Sequence, residues 1–86
     1  MPEISRFFGI IIAIYYNDHN PPHFHAKYGN HEVLVEINTG IVIAGNLPQR
    51  ELNLVEEWRK LHCQELLADW RLAEKHRPLN KIEPLE

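Results

Sequence analysis

The sequence predicts an α+β fold, in which an antiparallel β-meander of about four strands, within residues 5–45, packs against one or two C-terminal helices within residues 48–76. Residues 1–46 are rich in the β-branched and aromatic side chains that favour strands. Residues 49–76 contain no glycine or proline and are dominated by helix-forming side chains. The loops between the predicted strands are too short for the crossovers that parallel strands need, so the strands should be antiparallel.

The length of 86 residues predicts a single domain, residues 1–86, with a strand half at 1–46, a helical half at 47–78 and an extended tail at 79–86. The net charge of −3 disfavours general binding to nucleic acid. The longest apolar run is about half of the roughly 20 residues that a membrane-spanning helix needs, so we expect no membrane partner. The single cysteine cannot form an intramolecular disulfide bond, which suits the cytoplasm.

Four strands are predicted, at residues 5–16, 23–28, 31–37 and 41–45. The first is apolar on both of its faces, which fits a central strand covered on both sides or a strand at a subunit contact. We therefore expect a homodimer or a tight complex that uses this strand or the sheet face beside it. Gly29-Asn30 predicts a two-residue type II′ turn between the second and third strands.

The helical half shows two apolar directions. At 100° per residue, Leu54, Trp58 and Leu61 point one way. Leu66, Leu67, Trp70 and Ala73 point another way. This predicts a break or sharp bend near residues 62–64, and the alternative is one long helix covered on two sides. Both tryptophans are expected to contact the sheet.

The predicted turn sets the register of the central hairpin and pairs His23 with Glu36 and Lys27 with Glu32. Because side chains alternate across a strand, one face of the sheet should be apolar and buried. Its predicted members are Phe24, Ala26, Val33, Val35, Ile37, Ile41 and Ile43. The opposite face should carry His23, His25, Lys27, Glu32 and Glu36.

This polar face is the candidate functional site. His23, His25 and Glu36 are candidate acid/base residues. With His19 from the preceding loop, they are also candidate ligands for a divalent transition metal such as Zn²⁺ or Fe²⁺, the one candidate cofactor. Pro21-Pro22 stiffens the segment between the histidines. The alternative is that these residues form ordinary cross-strand pairs on a solvated face.

Several segments resemble a family of small prokaryotic proteins classed as a domain of unknown function, with a Pro-Pro-His-Phe-His-Ala signature. The segments that carry the resemblance are residues 1–10, 21–26, 47–50, 57–58, 61–62, 65–70 and 78–85. The resemblance implies a component of a toxin–antitoxin-like gene pair. Its partner would be a small protein from a neighbouring gene or a second copy of the chain.

Two functions stay open at this point. The first is a protein-interaction module, which the small size, the first strand with two apolar faces and the absence of known catalytic motifs favour. The second is a small metal-binding protein or acid/base hydrolase, ribonuclease-like among the options, that uses His19, His23 and His25 with Glu36. The family brings no established reaction, so whether the chain is an enzyme stays open.

Overall fold

A computed structural model describes residues 2–86; Met1, the first residue of the predicted domain, lies outside the described residues. The elements are β1 (Glu3–Phe7), β2 (Ile10–Ala13), β3 (His23–Tyr28), β4 (His31–Glu36), β5 (Val42–Asn46) and α1 (Gln49–Glu74). The strands form one sheet in the order β1-β2-β3-β4-β5, and every neighbouring pair is antiparallel. The prediction of an antiparallel meander followed by a C-terminal helix is therefore confirmed.

The first predicted strand is in fact a hairpin, which makes five strands instead of four. Phe8 and Gly9, with φ of +50° and +78°, form the turn between β1 and β2. Two successive residues in the left-handed region are typical of a two-residue type I′ turn. Glycine adopts this conformation readily, but phenylalanine does so rarely, so the sequence pattern hid the turn.

Most apolar residues of this first hairpin are buried within the chain itself. They are Ile4, Phe7, Ile10, Ile12, Ala13 and Ile14. The Phe7 ring packs 5.4 Å from the Trp58 ring of α1. The helix and the rest of the chain therefore cover most of this apolar surface, and the predicted association through this strand stays a prediction.

The predicted register of the central hairpin is confirmed. His23 lies opposite Glu36, Phe24 opposite Val35 and Lys27 opposite Glu32. The predicted core residues of β3 and β4, with Ile37 beyond them, are all buried. The hairpin therefore presents its apolar face to the core, as the alternation of its side chains requires.

The predicted core positions of the last strand are wrong. Ile41 and Ile43 are 61% and 44% exposed, not buried. The register between β4 and β5 shifts between Leu34 and Val35, so Val42 rather than Ile43 stands opposite Val35. Gly40, in the loop before β5, is left-handed at φ +78°. The alternation of side chains could not reveal the irregularity that follows it.

Helix α1 is continuous but bent, which confirms the predicted bend. His62 has φ −123° and ψ 22°, outside the helical region. Trp58 packs 6.0 Å from the Phe24 ring and Trp70 packs 5.3 Å from the His23 ring, so both tryptophans contact the sheet as predicted. In the described part of the chain, no helix combines the length and the apolar character that crossing a membrane requires.

The extended tail crosses back over the sheet and the helix. Trp58 Nε1 donates to the Glu83 carbonyl oxygen, and the Ile82 backbone N–H donates to the carbonyl oxygen of Ile4. The Asn80 backbone N–H donates to Oδ1 of Asp69, a fully buried carboxyl group. The tail thereby covers the outer side of β1.

Candidate metal centre

Asp18, His23 and His25 form a compact cluster at the start of β3. One ligand atom from each residue lies within 4.8 Å of the ligand atoms of the other two. Oδ2 of Asp18 is 2.9 Å from Nε2 of His23 and 3.2 Å from Nε2 of His25. Ligands of one tetrahedral zinc ion, at bond lengths near 2.0–2.1 Å, stand about 3.3 Å apart, so these spacings suit a common cation.

The loop between β2 and β3 brings Asp18 to the two histidines. Asn17 adopts a left-handed conformation at φ +61°, which asparagine tolerates better than most residues. The chain therefore turns sharply after β2, and Asp18 lies beside the start of β3. The backbone N–H of His19 donates to Oδ1 of Asp18 at 2.9 Å, which leaves Oδ2 facing the two imidazole rings.

The tautomer of His23 follows from its hydrogen bond to the loop. Its Nδ1 lies 2.8 Å from the Pro21 carbonyl oxygen. A carbonyl oxygen can only accept, so Nδ1 carries the hydrogen and a neutral ring has its lone pair on Nε2. This nitrogen is buried and has no hydrogen-bond partner among the described residues, although Oδ2 of Asp18 is close. Nε2 of His23 is therefore a buried nitrogen whose lone pair is available to a metal ion.

His25 repeats the arrangement with a different acceptor. Its Nδ1 lies 2.8 Å from Oε2 of Glu32, which as a carboxylate oxygen accepts the Nδ1 hydrogen. In a neutral ring, the lone pair is then on Nε2, which faces Oδ2 of Asp18. Two lone pairs directed at a carboxylate oxygen repel it unless a proton or a metal cation lies between them.

The charge on Asp18 is favoured by its surroundings. Partial burial raises the pKa of this carboxyl group. When His23 and His25 are protonated, their positive charge and the hydrogen bond from His25, with the hydrogen bond from the His19 backbone, outweigh burial and place the pKa below its ordinary value. The carboxylate is therefore ionised at neutral pH, as a metal ligand must be.

Aromatic side chains flank the cluster and border a cleft. The Tyr15 ring meets the His25 ring edge-on at 4.4 Å, and Trp70 packs against His23. The cleft has a volume of about 230 Å³ and is lined by Tyr15, Asn17, Asp18, Trp70, Ala73 and Glu74. Asp18 thus belongs to both the cluster and the cleft, so a small molecule in the cleft would lie next to the ligand atoms.

The structure brings together two of the four predicted site residues. His23 and His25 converge, but His19 contributes only its backbone N–H to Asp18. Glu36 faces His23 across the hairpin as predicted, yet its carboxylate accepts a hydrogen bond from Thr39 and lies outside the cluster. His23 is only 5% exposed because Trp70 covers it, so the alternative of a solvated cross-strand pair does not hold for this residue.

Sequence reasoning missed two carboxylates. Asp18 is hidden because its position depends on the loop turn at Asn17, which no strand register predicts. Glu32 stands two residues along from the direct partner of His25, and diagonal neighbours in an antiparallel pair are within reach of long side chains. The register could have shown that contact.

The comparisons with known proteins identify a family but no activity. The chain matches the model of the family described as "Domain of unknown function (DUF4160)" over residues 9–71, and it belongs to that family. The matched segment contains Asp18, His23, His25 and Glu32. No curated protein and no solved structure matches the chain significantly.

Proposed function

We propose that this member of the DUF4160 family binds one divalent transition-metal ion, with Zn²⁺ as the first choice, through Asp18, His23 and His25. The observation that carries the proposal is the convergence of both Nε2 atoms on one carboxylate oxygen, at 2.9 and 3.2 Å. Two imidazoles and a carboxylate are a ligand set that zinc and iron use in proteins.

The groups behind the ligands support a metal more strongly than an isolated ion pair. Histidines that bind metals usually donate the other ring N–H to a carbonyl or carboxylate oxygen, which fixes the tautomer and the ring orientation. His23 does so to Pro21 and His25 does so to Glu32. Each ring is thereby held with its ligating nitrogen toward Asp18.

Three protein ligands leave a further position on the metal for water or substrate, which is the pattern of catalytic rather than structural zinc sites. The neighbouring cleft, which Asp18 lines, gives that position access to small molecules. A metal in such a place activates water and polarises a carbonyl or phosphoryl group. We therefore propose metal-assisted hydrolysis as the reaction class.

The test is a calorimetric titration of untagged protein with Zn²⁺. We expect one site per chain, with affinity reduced at least tenfold in Asp18→Asn and His25→Gln. His31→Gln is the matched control, because His31 is exposed on the same hairpin and outside the cluster. Hydrolysis of p-nitrophenyl acetate that requires Zn²⁺ and disappears in Asp18→Asn would support the reaction class. Equal zinc affinity in all four proteins would contradict the site.

We propose a cytoplasmic location for this protein, since Cys63 is a free thiol.

A protein-interaction module is the second candidate function. The observation that favours an interaction module is the row of exposed apolar side chains Ile41, Val42 and Ile43 at the start of β5. Apolar side chains that cluster on a surface are typical of protein contacts. Light scattering that shows the chain alone as a monomer of 10.1 kDa, with no complex under any condition, would count against it.

A further inference from the structure

The two edges of the sheet differ in how they are protected. At the β1 edge, the tail lies alongside the strand: the Ile82 N–H donates to the Ile4 carbonyl oxygen, and Nζ of Lys81 donates to that of Glu3. At the other edge, β5 has β4 as its one neighbouring strand within residues 2–86, and all five of its residues are exposed. Its outer backbone groups are therefore available for pairing.

The composition of β5 does not guard this open edge. Natural edge strands are commonly blunted by charged side chains, proline or a β-bulge, which hinder pairing with another chain. β5 has one irregularity, at Ile43, which has no partner on β4. No charged residue occurs between Ile37 and Gln49, and β5 itself contains no proline. Ile41, Val42 and Ile43 are instead 61%, 40% and 44% exposed, so apolar surface accompanies the free backbone.

The occupant that fits this edge best is the same edge of a second copy. An uncharged strand can pair with itself without placing like charges opposite each other, even though each chain carries a net charge of −3. Antiparallel pairing of two identical strands creates a two-fold axis, so the same surface serves both partners. It also continues the antiparallel order of the sheet.

We propose that two chains associate through antiparallel pairing of their β5 strands into one continuous ten-stranded sheet. The assembly closes at two copies, because the tail covers the β1 edge of each chain and blocks the head-to-tail addition of β1 to β5 that would make a filament. This inference rests on the interaction surface proposed above as the second function and names its partner. It is independent of the metal centre, which lies on the loop before β3 and on β3 itself.

The first test is the molar mass in solution by light scattering, across a range of protein concentrations. We expect a mass of about twice the 10.1 kDa of one chain. Ile43→Lys places a positive charge near its own symmetry mate and should weaken the dimer at least tenfold. Leu61→Lys is the matched control, since Leu61 is 66% exposed on α1 and should leave the dimer unchanged. A wild-type monomer at 1 mM, or a dimer that Ile43→Lys does not weaken, would overturn the proposal.

The second test keeps the proposal falsifiable if Ile43→Lys fails to fold. Single cysteines are introduced at Val42, Ile43 and Ala44 in a Cys63→Ser background, and the folded proteins are exposed to a mild oxidant. Near a two-fold axis, at least one of these positions should form an intermolecular disulfide bond rapidly. Leu61→Cys in the same background should not. If none of the three crosslinks faster than Leu61→Cys, or if β5 captures only a different protein, self-pairing is wrong.

Discussion

One polar cluster lies on helix α1 and a second packs against Trp70 of that helix, and they differ in whether their hydrogen bonds are complete. In the first, the buried Arg59 guanidinium donates from Nε and Nη2 to both oxygens of Glu56, at 2.8 and 2.6 Å, and from Nη1 to the Ile37 carbonyl oxygen. In the second, Nε2 of the buried His23 lacks a hydrogen-bond partner among the described residues, and both Nε2 atoms face one oxygen of Asp18.

The difference teaches how a structural cluster can be told from a site. Arg59 and Glu56 are complementary, so the pKa of Glu56 is lowered by the hydrogen bond from Arg59, and nothing further is needed to complete the cluster. The guanidinium also leaves no room for a side chain at Gly40, since a Cβ there would lie 2.8 Å from Nε of Arg59. When His23 and His25 are neutral, their two Nε2 acceptors face a third acceptor, Oδ2 of Asp18. A bound cation would satisfy all three atoms.

The largest effect is expected in the hydrophobic core. Phe24→Ala should reduce the free energy of unfolding by about 3–5 kcal/mol, the usual loss for a fully buried phenylalanine. Chemical denaturation measures it, with Phe8→Ala as the control, because Phe8 is 56% exposed and should change stability by no more than about 0.5 kcal/mol. Equal losses in the two variants would mean that the assigned faces of the hairpin are wrong.

The next effect separates the two clusters. Arg59→Ala should cost about 2–3 kcal/mol of stability, somewhat below the loss for a fully buried pair, because Glu56 keeps partial access to water. Zinc affinity should not change. Lys60→Ala, at an exposed neighbouring position, should have little effect on either quantity. A parallel loss of zinc binding in Arg59→Ala would show that the clusters are not separate.

A smaller effect is expected behind the metal ligands. Glu32→Ala removes the acceptor that orients His25, and such partners typically contribute 10–100-fold in metal affinity. Glu36→Ala removes the same kind of side chain from the same strand, but Glu36 bonds to Thr39 and should leave zinc affinity unchanged. If Glu36→Ala weakens zinc binding as much as Glu32→Ala does, the ligand set includes the predicted carboxylate after all.

The smallest effect concerns Asp69, a buried polar group in neither cluster. Burial raises its pKa, the Asn80 N–H opposes this, and the charge of Glu65 adds to it. A raised pKa means that the folded state holds this proton more tightly than the unfolded state does. Stability should therefore fall as pH rises from the ordinary aspartate range through the raised pKa. Asp69→Asn should flatten this part of the pH profile of unfolding, and an unchanged profile would contradict the assignment.

The sequence was sufficient for those features that depend on local pattern. The hairpin at Gly29-Asn30 and the alternation of Phe24 and His25 gave the correct register and faces, since a one-residue slip would bury charge. The bend at His62 followed from the change in apolar direction along the helix. Each of these features is encoded by neighbouring residues, so spacing alone could reveal it.

The features that the sequence did not reveal depend on irregular backbone or on distant contacts. The turn at Phe8 requires an unfavourable conformation that only the surrounding packing maintains. The shift in β4–β5 register moved Ile43 out of the core. Asp18 entered the site through a loop turn, and Trp70, more than 40 positions later, buried His23. The spacing of apolar and polar residues along the sequence does not indicate these turns, this register shift or this contact.

The central claim is that Asp18, His23 and His25 together bind one metal ion, and the absorption spectrum of the Co²⁺-loaded protein tests it most directly. Cobalt in a site of two imidazoles and a carboxylate should give visible d–d bands stronger than those of hexaaqua Co²⁺, saturating at one equivalent per chain. His31→Gln should keep these bands, and His25→Gln and Asp18→Asn should each lose them. A wild-type spectrum that remains that of hexaaqua Co²⁺, or bands that persist in both ligand variants, would contradict the claim.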